Sequence, residues 1–115
     1  MAELAVEFCE FGDDDLLLRH LDGVDVILTR IDGAFHAVEN RCSHARSFLH
    51  TGPRSGHVIT CPLHGAKFDL RTGACLAPPA VKPIKSLATR IEDEQVIIIV
   101  TEADKPAKPR FGLFN

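Results

Sequence analysis

The sequence predicts an all-β protein of short antiparallel strands, with one loop-rich segment set between them. Two Asp-Gly pairs, the absence of helical periodicity, and a stretch broken by glycine and proline over residues 41–81 carry that expectation. Asp-Gly is a strong hairpin signal, because glycine accepts the positive φ that a two-residue turn demands.

Taken in order, "AVEF" opens the chain as a strand, followed by "DLLLRHLDG", "VDVILTRIDG" and "AFHAVEN". Asp22-Gly23 and Asp32-Gly33 separate these runs as hairpin turns. In "VDVILTRI", Val24, Val26, Leu28 and Arg30 share one face, and Asp25, Ile27, Thr29 and Ile31 the other. That imperfect alternation suits a strand covered on both sides. Near the end, "SLATRIEDEQVIIIVTE" reads as two strands around a charged turn at residues 92–94. Between them, Gly52-Pro53, Gly56, Pro62, Gly65, Gly73 and Pro78-Pro79 make residues 41–81 loops around short strands. This segment reads as an insertion between the strand ending near Glu39 and the one beginning near Ser86. The tail from Glu102 carries Lys105, Pro106, Lys108 and Pro109, which suits an extended linker; Phe111, Leu113 and Phe114 at its end suit docking on the body.

At 115 residues the chain is expected to form one domain, large enough to bury a core without disulfides. Its seven aromatics are all Phe, leaving little to stack on nucleic-acid bases, and a net charge of −3 argues against a phosphate-backbone partner. The amino terminus "MAELAVEFCEF" has neither the basic nor the apolar region of a signal peptide. The apolar run "VIIIV" is too short to span a bilayer. The expectation is a soluble cytoplasmic protein without a membrane or nucleic-acid partner. In a reducing compartment its four cysteines are metal ligands or buried thiols rather than disulfides.

Chemistry concentrates in "RCSHARSFLHTGPRSGHVITCPLHGAKF". Cys42, His44, Cys61 and His64 form the pattern C-x-H, sixteen residues, C-x-x-H. Two thiolates and two neutral imidazoles suit tetrahedral zinc or a 2Fe–2S cluster with mixed ligation. Each short motif supplies one of each type. That favours two metals, with Cys42 and Cys61 on one iron and His44 and His64 on the other. The remaining candidates have blander roles. Cys9, expected in a strand between Phe8 and Phe11, and Cys75 read as small buried residues. His20, His36, His50 and His57 read as structural or solvent-facing, with His50 also a candidate partner contact near the tip.

"CSH" followed by "CPLHGAKFDLRTG" resembles the two cluster-binding boxes of Rieske iron–sulfur proteins. The resemblance implies a Rieske fold: three antiparallel sheets, with a loop-rich cluster-binding subdomain over about residues 40–81 inserted in a basal β domain of residues 1–39 and 82–101, and a tail over 102–115. Respiratory members carry two further cysteines where Arg46 and Leu63 stand, so their inter-loop disulfide cannot form in this chain. They also place serine and tyrosine hydroxyls, which bond the cluster sulfurs, where this chain has Ala66 and Phe68. Without those donors the reduced state is less stabilised, which places the potential at the low end of the Rieske range of about −150 to +300 mV. The implied role is that of a ferredoxin, not itself an enzyme, in a bacterial aromatic-ring dioxygenase system. It would carry one 2Fe–2S cluster and pass single electrons from a flavoprotein reductase to a terminal oxygenase in aromatic hydrocarbon catabolism. A full oxygenase is not expected, since nothing after the cluster segment offers a two-histidine, one-carboxylate iron site. The alternatives are a small Rieske subunit of another oxidoreductase, such as nitrite reductase, or a zinc-stabilised binding module.

Gly65 and Gly73 suit either a close approach of backbone to the cluster or plain turns; the resemblance places a proline loop at Pro78-Pro79 over it, and His44 and His64 at the exposed tip. Residues 1–25 hold eight acids and one base, whereas residues 40–72 hold five bases and one acid. Arg46 and Lys67 among those bases suit steering onto acidic partner surfaces.

Overall fold

The computed structural model describes residues 1–13, 15–42, 48–63, 65–78 and 82–104. His44, Arg46, His64, Pro79 and the tail from Lys105, including Phe111, Leu113 and Phe114, lie outside the described residues.

Among the described residues, ten strands account for nearly all regular structure. The basal strands are β1 (Ala2–Glu7), β2 (Leu16–Leu21), β3 (Val24–Ile31), β4 (Ala34–Glu39), β9 (Ser86–Glu92) and β10 (Gln95–Val100). They are ordered β1-β10-β9-β4-β3-β2, and every pairing is antiparallel. Strand β9 is shared. Its first residues pair with β4 at Leu87 and Ser86, while residues 88–92 pair with β10. The basal body is thus two sheets meeting along one strand. A third sheet holds β5 (Arg54–Ser55), β6 (Val58–Thr60), β7 (Lys67–Asp69) and β8 (Cys75–Ala77) in that order.

Both Asp-Gly pairs turn their hairpins in two residues. Leu21 pairs Val24 and Ile31 pairs Ala34, with positive φ at Asp22, Gly23, Asp32 and Gly33, the signature of a type I′ turn. The third hairpin does the same without glycine: Gln95 faces Glu92 across Asp93 and Glu94, whose φ values are 49° and 63°.

The two-sided strand expected at residues 24–31 is the wall between two cores. Val24, Val26 and Leu28 face the basal core with Val6, Ala37, Leu87, Val96, Ile98 and Val100. From the opposite face Ile27 and its register partner Val38 join a second core with Cys42, Leu49, Ile59, Cys61, Ala66, Phe68, Leu70 and Ile84. The inserted segment therefore rests on the back of β3 and β4, and both cysteines of the Cys/His pattern sit in the core at that joint.

One expectation fails at the amino-terminal end. Cys9 is not a buried strand residue; it is exposed, in a 3-10 turn over Phe8–Glu10. Phe8 and Phe11 both pack on Phe35, with centroids 4.8 and 5.3 Å away, which aims Cys9 outward. The turn is tied by the Glu7 N–H donating to Glu10 Oε2 and the Phe8 N–H donating to Glu94 O. A Phe-x-x-Phe spacing serves a turn and a strand edge equally well, which is why the pattern misled.

Candidate metal centre

Cys42 and Cys61 reach the second core from different loops. Cys42 lies just after β4 and is 1% exposed; Cys61 follows β6 and is 2% exposed. Around Cys61 the geometry is set by strand pairing. Ile59 faces Phe68 and Thr60 faces Lys67, and the next pair is closed by the Cys61 N–H donating to Ala66 O at 2.7 Å. Because side chains alternate along a strand, Ile59, Cys61, Ala66 and Phe68 share one face. All four are buried in the same core. The Gly65 N–H donates back to Cys61 O at 3.1 Å, so Gly65 and Ala66 both close on Cys61 at the second box.

A neighbouring turn supports this hairpin. Asp69, 7% exposed, accepts from the Arg71 N–H and from both Nε and Nη2 of Arg71, and its carbonyl accepts from Thr72 and Gly73 N–H. Hydrogen bonding from Arg71 holds the Asp69 carboxyl below the ordinary range, and Asp69 in turn raises the Arg71 guanidinium. Gly73 has φ +83°, and a Cβ there would lie 2.2 Å from Ile84 O. The close approach expected at Gly73 is to the Ile84 backbone, with the Ile84 N–H donating to Gly73 O at 2.9 Å. Gly52 is tighter still, with Thr60 O 1.8 Å from an added Cβ, so the two loops touch there.

Of the four ligands expected from the sequence, the structure brings Cys42 and Cys61 into one core; His44 and His64 lie outside the described residues. Among the described residues no group of three His, Cys, Asp or Glu side chains is placed to hold a metal. The donor set fits a 2Fe–2S group in its sulfur half: two thiols from separate loops, kept from water, backed by Ala66 and Phe68, whose side chains offer no hydrogen-bond donor. Cys75 is half-buried in β8, where its thiol donates to Ala77 O.

Sequence reading overlooked Asn40, which joins the first loop to the body. Its side chain bonds to Leu49 and His50, and it signalled itself only as a polar residue at a strand end. Phe48, four residues after His44, and Leu63, inside the second box, are 53% and 58% exposed. Phe48 also packs on His50 and lines a groove with Leu18, His20, Asn40 and His50. No helix among the described residues is long and apolar enough to cross a membrane.

Comparison with known proteins bears directly on this site. A family model described as Rieske [2Fe-2S] domain matches residues 4–88. The chain is 33% identical over 94 residues to the ferredoxin component of a naphthalene 1,2-dioxygenase system from Pseudomonas aeruginosa, covering 82% of this chain and 90% of that protein. It is 39% identical over 79 residues to the 3-phenylpropionate/cinnamic acid dioxygenase ferredoxin subunit from Photorhabdus laumondii, covering 68% and 75% of the two chains. Among solved structures, the ferredoxin of carbazole 1,9a-dioxygenase from Nocardioides aromaticivorans superposes with a TM-score of 0.76 at 27% identity, over 85% of this chain and 97% of that one.

Proposed function

The chain belongs to the Rieske [2Fe-2S] domain family, and from that premise we propose that it is the electron-carrying ferredoxin of an aromatic-ring dioxygenase system. It accepts single electrons from a flavoprotein reductase and delivers them to a terminal oxygenase. It is not itself the enzyme. The observation that carries this reading is the burial of Cys42 and Cys61 in one core between the inserted segment and the β3–β4 wall.

In this reading Cys42 and Cys61 hold one iron through thiolates, and His44 and His64 hold the other through imidazole nitrogens. When bound, the cluster supplies a one-electron couple whose net charge passes from zero to −1 with two neutral imidazoles as ligands. The surrounding chain sets the rest. Burial of both cysteines excludes water from the sulfurs. Ala66 and Phe68, on the same face as Cys61, give no hydroxyl to stabilise the added electron, which keeps the potential at the low end of the range of about −150 to +300 mV. The exposed Phe48 and Leu63, both within the Cys/His segment, offer a small apolar contact of the size suited to a transient electron-transfer encounter. Bases of residues 40–72, Lys67 and Arg46 among them, steer that end toward acidic partner surfaces.

Residues 1–115 then form one Rieske domain, with 40–81 as its cluster-binding subdomain, working in the cytoplasm. The test is reconstitution: the purified protein with a flavoprotein reductase and a terminal oxygenase of an aromatic-ring dioxygenase system, scored for substrate-dependent oxidation of reduced nicotinamide. Turnover that needs this protein supports the proposal. Full turnover without it would remove the carrier role.

A further inference from the structure

Asn40 lies outside the Cys/His pattern but holds its first loop by the base. It is 4% exposed, directly after β4 and two residues before Cys42. Its backbone N–H donates to Asp25 O at 2.7 Å, anchoring it to the β2–β3 hairpin. Its side-chain Oδ1 accepts from the N–H of Leu49 at 2.7 Å and of His50 at 3.0 Å. Its Nδ2 lies 2.7 Å from His50 Nδ1. The chain leaves the wall at Asn40 and returns to the same side chain nine and ten residues later. Cys42 lies between these two anchor points, two residues after Asn40.

The amide's orientation is dictated. Both backbone partners are donors, so the oxygen faces them and the nitrogen donates to Nδ1, which places the His50 proton on Nε2. The His50 ring then packs against Phe48, with centroids 5.4 Å apart. No other side chain of this length supplies two acceptances and a donation in this arrangement: aspartate keeps the acceptor but loses the donor, and alanine loses both.

The geometry points to Asn40 as the positioning residue of the first ligand loop. It holds Cys42 at one spacing from Cys61 in both charge states, which keeps the reorganisation that accompanies electron transfer small. The inference rests on the iron–sulfur carrier reading above. Removing the amide leaves two N–H groups without their acceptor, and one of them, on Leu49, is fully buried.

The experiment uses the iron-loaded full chain as wild type, Asn40→Ala, Asn40→Asp and, as a remote control in the basal core, Val26→Ala. Three quantities are read: thermal midpoint, the electron paramagnetic resonance g values of the reduced protein, and the rate of iron release to a ferrous chelator. Asn40→Ala is expected to shift the g values and to release iron about tenfold faster or more, since a factor of ten is a modest fraction of what losing the acceptor of one buried and one half-buried N–H costs. Asn40→Asp, which restores the acceptor, should recover most of the release rate without recovering the His50 contact. Val26→Ala should lower the thermal midpoint while leaving g values and iron release at the wild-type level. If Asn40→Ala keeps the wild-type spectrum and release rate, or if Val26→Ala reproduces its effect at equal loss of midpoint, the positioning role is overturned and the carrier reading stands. A wild type that loads neither iron nor sulfide overturns both.

Discussion

Phe68→Tyr tests how this chain sets its potential. Phe68 and Cys61 stand diagonally across the β6–β7 pair, through the Ile59–Phe68 and Cys61–Ala66 positions, on one buried face. Diagonal neighbours lie about 7–8 Å apart between backbones, within reach of an aromatic side chain. A tyrosine there carries its hydroxyl toward the Cys61 sulfur. A hydrogen bond to a charged acceptor contributes about 1.5–3 kcal/mol, and more of it falls to the reduced, more negative state. A difference of about 1.4 kcal/mol between the two states raises a one-electron midpoint by about 59 mV. Protein-film voltammetry of both forms reads that shift, and the expected result is a rise of roughly 50–100 mV. Stability supplies an internal check. A hydroxyl that finds the sulfur leaves the thermal midpoint nearly unchanged, whereas an unpartnered one in this core costs about 1–3 kcal/mol, several degrees for a domain of this size. A crystal structure showing the hydroxyl on the sulfur together with an unmoved potential would refute the tuning mechanism.

Three further outcomes follow from the fold. Gly73→Ala adds a Cβ 2.2 Å from Ile84 O at a residue with φ +83°, so it should cost about 2 kcal/mol or more, read as a lower denaturant midpoint; an unchanged midpoint would contradict the close approach. Glu94→Gly relieves a left-handed conformation costing about 1 kcal/mol, offset in part by glycine's greater freedom when unfolded, and should raise the thermal midpoint by about 2 °C. Asp69 has its carboxyl depressed by Arg71, so its contribution is fully present above the unfolded value of about 3.9 and is lost as pH falls through the depressed one. Asn at position 69 should therefore flatten the decline of thermal midpoint below pH 4, and an unaltered acid profile would remove Asp69 from that role.

The basal strands were legible because two-residue turns and alternating burial leave local marks. Asp22-Gly23 and Asp32-Gly33 sit where expected, and the two-sided coverage of β3 follows from Ile27 and Val26 feeding different cores. The turn at residues 92–94 was legible as charged chain between strands, but not as a hairpin holding Asp93 and Glu94 at positive φ, because neither residue type demands it. The sheet β5–β8 was visible only as interruptions, since strands of two or three residues are too short to show a period. Cys42 and Cys61 announced themselves by spacing and sequence neighbours. Asn40 did not: its importance arises from contacts with Asp25, Leu49 and His50, which nothing local encodes. Cys9 was misplaced for the same reason, its direction being fixed by Phe35 in a distant strand.

Electron paramagnetic resonance of the anaerobically purified, dithionite-reduced protein, paired with iron and acid-labile sulfide analysis, tests the central claim most directly. The account predicts two irons and two sulfides per chain and a rhombic signal of low average g, the mark of an iron held by histidine on one side of the pair. A colourless protein containing zinc, or an average g typical of four-cysteine ligation, would contradict it.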